Sequence, residues 1–343
     1  MADNEDMQEI DNFWEDAWEE ITLDFLDSKI DQDFAVQNCR KSERKKHKNR
    51  RMNKATEIPN LILQFQEENC RESALRKLST FLLEKREEDP DNYYWTAHIL
   101  YNSCGTMTIL LQELLTFSRM MVDGNLTRRA SKRLINVLTL FQCIAADKVT
   151  RHSFVKSSVP SFLVPLILFK APMEEFENVR AVALSVIGIL CQARESDIIQ
   201  WAVENNMVEV CRISIEIGNE LCKVIGMHII EAIMQDDSGL SHICNSMCNH
   251  LLEELTATWY SLVTFLTVDQ DYSPRLLFHI IRCYILLCDN VGGYNVVKGS
   301  LPEPIINGSF HDIRERFPLI ESLIQQLLLT VGKIDRSIPA SPH

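Results

Sequence analysis

Glycine and proline are both scarce in this chain, with eleven of each among 343 residues. A sheet-rich domain joined by tight turns needs more of both, so the shortage favours helices. Long apolar runs are missing too. The richest windows, near Phe162–Phe169 and Leu276–Leu287, are too short to span a bilayer, so no membrane partner is expected. The opening residues MADNEDMQEI hold neither a basic segment nor an apolar one. That argues against a secretory leader and for a cytoplasmic and nuclear location. Cysteine is plentiful, at eleven, but regular cysteine spacing is absent, which makes a disulfide framework a poor expectation. Cys143, Cys191, Cys211, Cys222, Cys283 and Cys288 fall at apolar helical positions, where a thiol acts as a small hydrophobe.

Catalytic motifs are also missing. There is no G-x-S-x-G, no P-loop, no G-x-G-x-x-G after a strand and no H-E-x-x-H. Neither an enzymatic activity nor a cofactor is expected. The nearest approach to a metal site is His242, Cys244, Cys248 and His250, whose residue types suit zinc. Structural zinc sites draw ligand pairs from separate turns, whereas these four crowd into nine residues. A helix end with two core cysteines is the expectation, and no metal.

What is present is a repeated phrase. A basic residue followed by a dozen mostly apolar, helix-forming residues recurs as Arg133-LINVLTLFQCIA, Arg180-AVALSVIGILCQ, Lys223-VIGMHIIEAIMQ and Arg275-LLFHIIRCYILL. A fainter copy is Arg71-ESALRKLSTFLL. The steps between the four clear copies are 47, 43 and 52 residues. Helices repeating with a period in the forties predict an all-α armadillo-type solenoid. Equivalent positions of a solenoid stack into rows, so the recurring cations predict a basic ladder. In the last copy Arg275, His279 and Arg282 share one helix face, as a row for phosphates or an acidic peptide would. Each phrase is followed by a polar break and a shorter apolar segment, in armadillo order, with Pro160 and Pro165 suiting first-turn positions. Residues 83–100 and 116–130 read as insertions that lengthen the first repeat.

Charge is unevenly placed. The formal net charge is −13, with −12 in residues 1–33 and +8 in residues 40–54. Residues 1–57 are therefore expected to form a disordered tail, acidic and then basic, ahead of an armadillo-repeat domain at 58–330 and a second disordered tail at 331–343. Within the acidic stretch Trp14, Trp18, Ile21 and Phe25 fall on one helical face, as a partner-binding motif would. The basic run reads as an import or nucleic-acid segment, or as a solvated linker. Arg128-Arg129-Ala130-Ser131 has the spacing favoured by basophilic kinases. Phosphorylation of Ser131 would place negative charge beside Arg133 and weaken anion binding.

Several stretches resemble the Rcd/Caf family, the armadillo-repeat subunit of the CCR–NOT mRNA deadenylation complex. They are RESALRKLS (71–79), NSCGTMTILLQEL (102–114), NVLTLFQCIAADKVTRHSFVKSSVPSFLVPLI (136–167) and FENVRAVALSVIGIL (176–190). GNELCKVIGMHIIEAIMQDDSGLSHIC (218–244) and PRLLFHIIRCYILLCDN (274–290) continue the match, which spans about residues 58–305. The resemblance implies a right-handed superhelical solenoid of six repeats without catalytic activity. It further implies docking on the NOT scaffold subunit, capture of tryptophan-containing adaptor peptides, and a basic groove associated with nucleic acid. The groove positions match Arg133, Arg180, Lys223, Arg275, His279 and Arg282. The implied function is that of a scaffold in mRNA deadenylation, mRNA decay and translational repression, with homodimerisation left open. Two departures bear on it. Tyr101 stands where the family has tryptophan, and 291–300 (VGGYNVVKGS) carries one lysine where the family is basic, which weakens nucleic-acid binding. Residues 1–57 have no family counterpart, so the chain reads as a diverged paralogue. The competing readings are a nuclear transcriptional cofactor acting through residues 14–25, and a nucleic-acid-binding solenoid.

Overall fold

A computed structural model describes residues 54–170, 174–245, 249–267 and 274–333. Trp14, Trp18, Ile21, Phe25, the basic run up to Asn53, the C-terminal residues from 334 on and Cys248 lie outside the described residues. The described residues contain helices and turns and no strand, and none of their helices is long and apolar enough to cross a membrane. The chain divides into two compact units, one ending at Ile109 and one beginning at Leu110.

In the first unit, α1 (Lys54–Gln66) packs on α2 (Arg71–Glu88), and α3 (Pro90–Asn102) packs on both. Ile58, Ile62 and Phe65 of α1 are buried with Leu75, Leu78 and Leu82 of α2 and Ala97 and Leu100 of α3. Asp89 ends α2, and Pro90 starts α3 at a position where a missing amide proton costs nothing. Residues 83–100 form the last turns of α2 and most of α3, where charged residues at the end of α2 and the exposed rings of Tyr94 and Trp95 on α3 mask the apolar period.

Helix α4 (Thr106–Val122) contains the boundary between the units. The second unit then repeats a three-helix theme. Long third helices are α5 (Arg128–Ala146), α8 (Glu174–Gln192), α11 (Glu220–Met234) and α14 (Pro274–Leu287). Short first helices follow them at α6 (Lys148–Lys156), α9 (Ser196–Glu204), α12 (Asp237–Ile243) and α15 (Val291–Ser300). Second helices are α7 (Val164–Leu168, entered through a 3-10 turn at Val159–Leu163), α10 (Met207–Ile217) and α13 (Asn249–Leu266). After α15 come α16 (Glu303–Ile306), α17 (His311–Arg316) and α18 (Pro318–Thr330). Consecutive third helices pack on each other, α5 on α8, α8 on α11, α11 on α14, and α14 on α18. They are apolar nearly all round because neighbours cover them on both sides. Leu138, Phe141, Leu184, Ile187, Ile225, Ile229, Ile281 and Tyr284 are all buried. Cys143, Cys191, Cys211, Cys222 and Cys283 are buried in this core, while Cys288 is half-buried.

The turn from third to first helix is tight, and it is built the same way three times. Asp147 ends α5 and caps α6, its carboxylate accepting from the Thr150 amide at 2.9 Å. The Thr150 hydroxyl then donates to the Ile144 carbonyl (2.7 Å). Asp236 caps α12 through the Ser238 amide (2.9 Å), and Asn290 caps α15 through the Gly292 amide (2.9 Å). At Gly239 a Cβ would lie 2.0 Å from the Ile233 carbonyl oxygen, and at Gly293 one would lie 2.3 Å from that of Leu287. Only glycine admits such an approach. Pro160 and Pro165 both occupy first-turn positions, as their fixed φ favours.

Candidate interaction surface

The recurring cations sit near the starts of the third helices, and most of them are used inside the fold. Arg71 reaches back to the last carbonyls of α1, with Nε donating to Phe65 O and Nη2 to Gln66 O, each at 3.3 Å. Arg180 does the same at the end of α7. Its Nε donates to Ile167 O (2.9 Å), Nη2 donates to Phe169 O, and Nη1 pairs with Glu177. Lys223 Nζ donates to Gly218 O (2.7 Å), just past the end of α10. Helix ends leave carbonyls without intrahelical partners, and a cation there also meets the negative end of the helix dipole. A residue that closes the preceding helix keeps its register in every repeat, with no ligand required.

Arg180 is 1% exposed, and its guanidinium lies 5.6 Å from the centre of the Phe176 ring. Burial, above all, lowers the Lys223 pKa. Arg133 makes a two-pronged pair with Glu113 of α4, Nε to Oε2 at 2.6 Å and Nη2 to Oε1 at 2.7 Å. Arg275 is half-buried at the start of α14.

His279 and Arg282 lie deeper. Both are buried, and both converge on Glu231 of α11, which is also buried. His279 Nδ1 donates to Glu231 Oε2 and Arg282 Nε pairs with Oε1, each at 2.6 Å. Gln235 Nε2 adds a third bond to Oε1 (3.2 Å). Burial pushes the Glu231 carboxyl up, but Arg282, followed by His279, outweighs it and holds the pKa down at about 2. His228 packs edge-on to His279, with ring centres 5.5 Å apart. Burial, and then the charge of His279, pushes its imidazole down to about 3. These groups form an ionic tie between α11 and α14.

The recurring cations thus stand near the starts of successive third helices, and the innermost of them are engaged within the protein. Arg180, His279 and Arg282 are withheld from solvent because carboxylates and helix-end carbonyls hold them. Ser131 is 1% exposed in the first turn of α5, so a kinase needs that turn unfolded to reach its hydroxyl. His242, Cys244 and His250 are not among the converging groups of potential metal ligands in the described residues. The sequence showed the cations but not their partners. Glu231 could have been noticed as the one acid in MHIIEAIM, where His228 is the one other polar residue.

A different surface is unspent. Helix α13 turns Ala257, Tyr260, Ser261, Thr264 and Phe265 to solvent, two aromatic rings on one helix. Its opposite side buries Leu255, Trp259 and Val263.

Residues 61–331 match the family described as "Cell differentiation family, Rcd1-like". The chain belongs to that family. Among its Rcd1-like relatives, the cell differentiation protein rcd1 of Schizosaccharomyces pombe is 31% identical over 282 residues, covering 80% of this chain and 92% of that one. Protein CAF40 of Saccharomyces cerevisiae is 32% identical over 249 residues, covering 73% of this chain and 65% of the yeast protein. Among solved structures, the designed armadillo repeat protein YIII(Dq)4CqI aligns with a TM-score of 0.56 at 16% identity, over 80% of this chain and 100% of its own. That likeness concerns the fold alone, and it makes this Rcd1-like chain an all-α armadillo-repeat protein.

Proposed function

We propose that the protein is a non-catalytic binding subunit of a CCR–NOT-type deadenylase complex, acting in mRNA decay and translational repression. It would hold the NOT scaffold on one face and short adaptor peptides on another. The observation that carries this reading is the family match across the whole repeat stack, residues 61–331. The geometry supports it in two ways. The third helices spend their charged side chains on one another and on neighbouring helix ends, as a rigid platform requires. The aromatic face of α13 offers the exposed apolar surface that a partner helix or peptide would cover.

Affinity purification of the full chain from its own cells tests this. Recovery of NOT and deadenylase subunits is the expected result, and a purification lacking every one of them removes the reading. Phe265→Glu should release the complex while leaving the helical content unchanged. Retention of the complex by that variant would move the docking face away from α13.

A further inference from the structure

Among the described residues, His152, Glu195 and Asp197 are the one place where three potential metal-ligating groups bring an atom each within 4.8 Å of one another. His152 lies on α6, Glu195 is the residue before α9, and Asp197 is in the first turn of α9. The first helices of successive repeats thus meet at this point. The His152 Nε2 atom stands 3.0 Å from Asp197 Oδ2 and 3.2 Å from Glu195 Oε2.

Three features mark the cluster as more than a surface ion pair. The first is the behaviour of Glu195. At α6, α12 and α15 the side chain preceding the first helix caps it, whereas the Glu195 side chain makes no capping bond to α9. The α8–α9 turn also departs from the others, with Arg194 in the left-handed region (φ 52°). Glu195 is thereby turned toward α6. The second is how Glu195 is held. Arg151 donates from Nη1 to Oε1 (3.0 Å) while its Nε and Nη2 are fixed on Ala145 O (2.8 Å) and Ala146 O (2.7 Å). The other oxygen, Oε2, is buried and accepts no hydrogen bond, although His152 Nε2 is nearby. Both separations are in ion-pair range, and the three atoms converge on one point, as ligands around a common centre do. The third is spacing. With metal bonds near 2.0–2.2 Å, neighbouring ligand atoms of a tetrahedral zinc site stand about 3.3 Å apart. The two nitrogen–oxygen separations fall close to that.

We infer that His152 Nε2, Glu195 Oε2 and Asp197 Oδ2 form a site for a divalent transition metal, zinc by ligand type, that staples α6 to α9. An imidazole among carboxylates favours zinc-class ions over calcium or magnesium. Arg151 supplies the outer-shell contact that ligating carboxylates usually have, and its charge lowers affinity without occupying the ligand oxygen. The way in is open, since the His152 and Asp197 side chains are 39% and 55% exposed. The site adds a cross-link between α6 and α9, and none of its residues belongs to α13.

The test uses the full chain, stripped with a chelator and dialysed against zinc(II) alone, beside His152→Ala and Asp197→Asn. The wild type should retain one zinc more per chain than His152→Ala, and zinc should raise the unfolding temperature of the wild type alone. Cobalt(II) should give weak visible bands at this site without thiolate charge-transfer absorption. Equal metal content in wild type and His152→Ala overturns the inference, as does a cobalt spectrum carrying only thiolate bands. Because both substituted residues are partly exposed, the variants should match the metal-free wild type in helical content. A thermal shift that survives in both variants would assign the zinc to cysteines and also overturn it.

Discussion

At the scale of single residues, the interior of this protein holds charge in a defined order. Glu231 sits between Arg282 and His279, with His228 beside them. The two perturbed groups give a signed pH dependence. The His228 pKa is near 3 in the fold, against an ordinary value of 6.5. As pH falls below 6.5 the unfolded chain takes up a proton that the folded chain refuses. Stability should therefore fall by about 1.4 kcal/mol per pH unit until pH approaches 3. Glu231, folded near 2 against 4.5, adds a second loss that begins only as pH drops below 4.5. Above pH 6.5 neither loss operates. Urea unfolding of wild type and His228→Gln between pH 6.5 and 4.5 checks this, and the variant should lack that part of the slope. Parallel slopes would show that His228 protonates within the fold.

At the scale of helices, the long third helices were legible in the sequence and the short ones were less so. A dozen apolar residues behind a basic one announced α5, α8, α11 and α14, because burial on all sides leaves no polar face to blur the pattern. Helix α3 was hidden because Tyr94 and Trp95 are exposed, so its apolar residues do not trace one buried face. The cations were equally visible, but their roles were not. Arg133 meets Glu113 twenty residues back, and His279 meets Glu231 forty-eight residues back. No local pattern reports pairings at such separations. Arg180 illustrates the difference in energy. Arg180→Met keeps the packing on Phe176 but abandons the carbonyls of Ile167 and Phe169. The expected loss is on the order of 3 kcal/mol by chemical denaturation, with Arg180→Lys recovering only part of it. A loss under about 1 kcal/mol would mean that the helix-end bonds contribute little, and would return Arg180 to the candidates for ligand contact.

At the scale of the whole molecule, a net charge of −13 and internally committed cations argue for protein partners ahead of nucleic acid. For duplex binding, each phosphate that a cation no longer neutralises flattens the log–log salt slope by about 0.9. Replacing Arg133, Lys223 and Arg275 together by glutamine should change that slope by less than about 1 for the full chain. A change near 2.7, as expected for three phosphates, would restore the ladder as a phosphate track. The armadillo class and the family were legible early because both rest on long periodic stretches. The exposed face of α13 was not, since Tyr260 and Phe265 look like core residues until Trp259 and Val263 are seen to occupy the inside.

The tight turns between third and first helices have a consequence for how such a chain can change length. Six residues separate Ile144 from Thr150, Ile233 from Gly239 and Leu287 from Gly293, while the steps between repeats range from 43 to 52. One residue inserted at such a turn would break the capping bonds and the close backbone approach that set the angle between the two helices. Within this chain the repeats differ in length instead at the second helices, which run from 5 residues in α7 to 11 in α10 and 18 in α13.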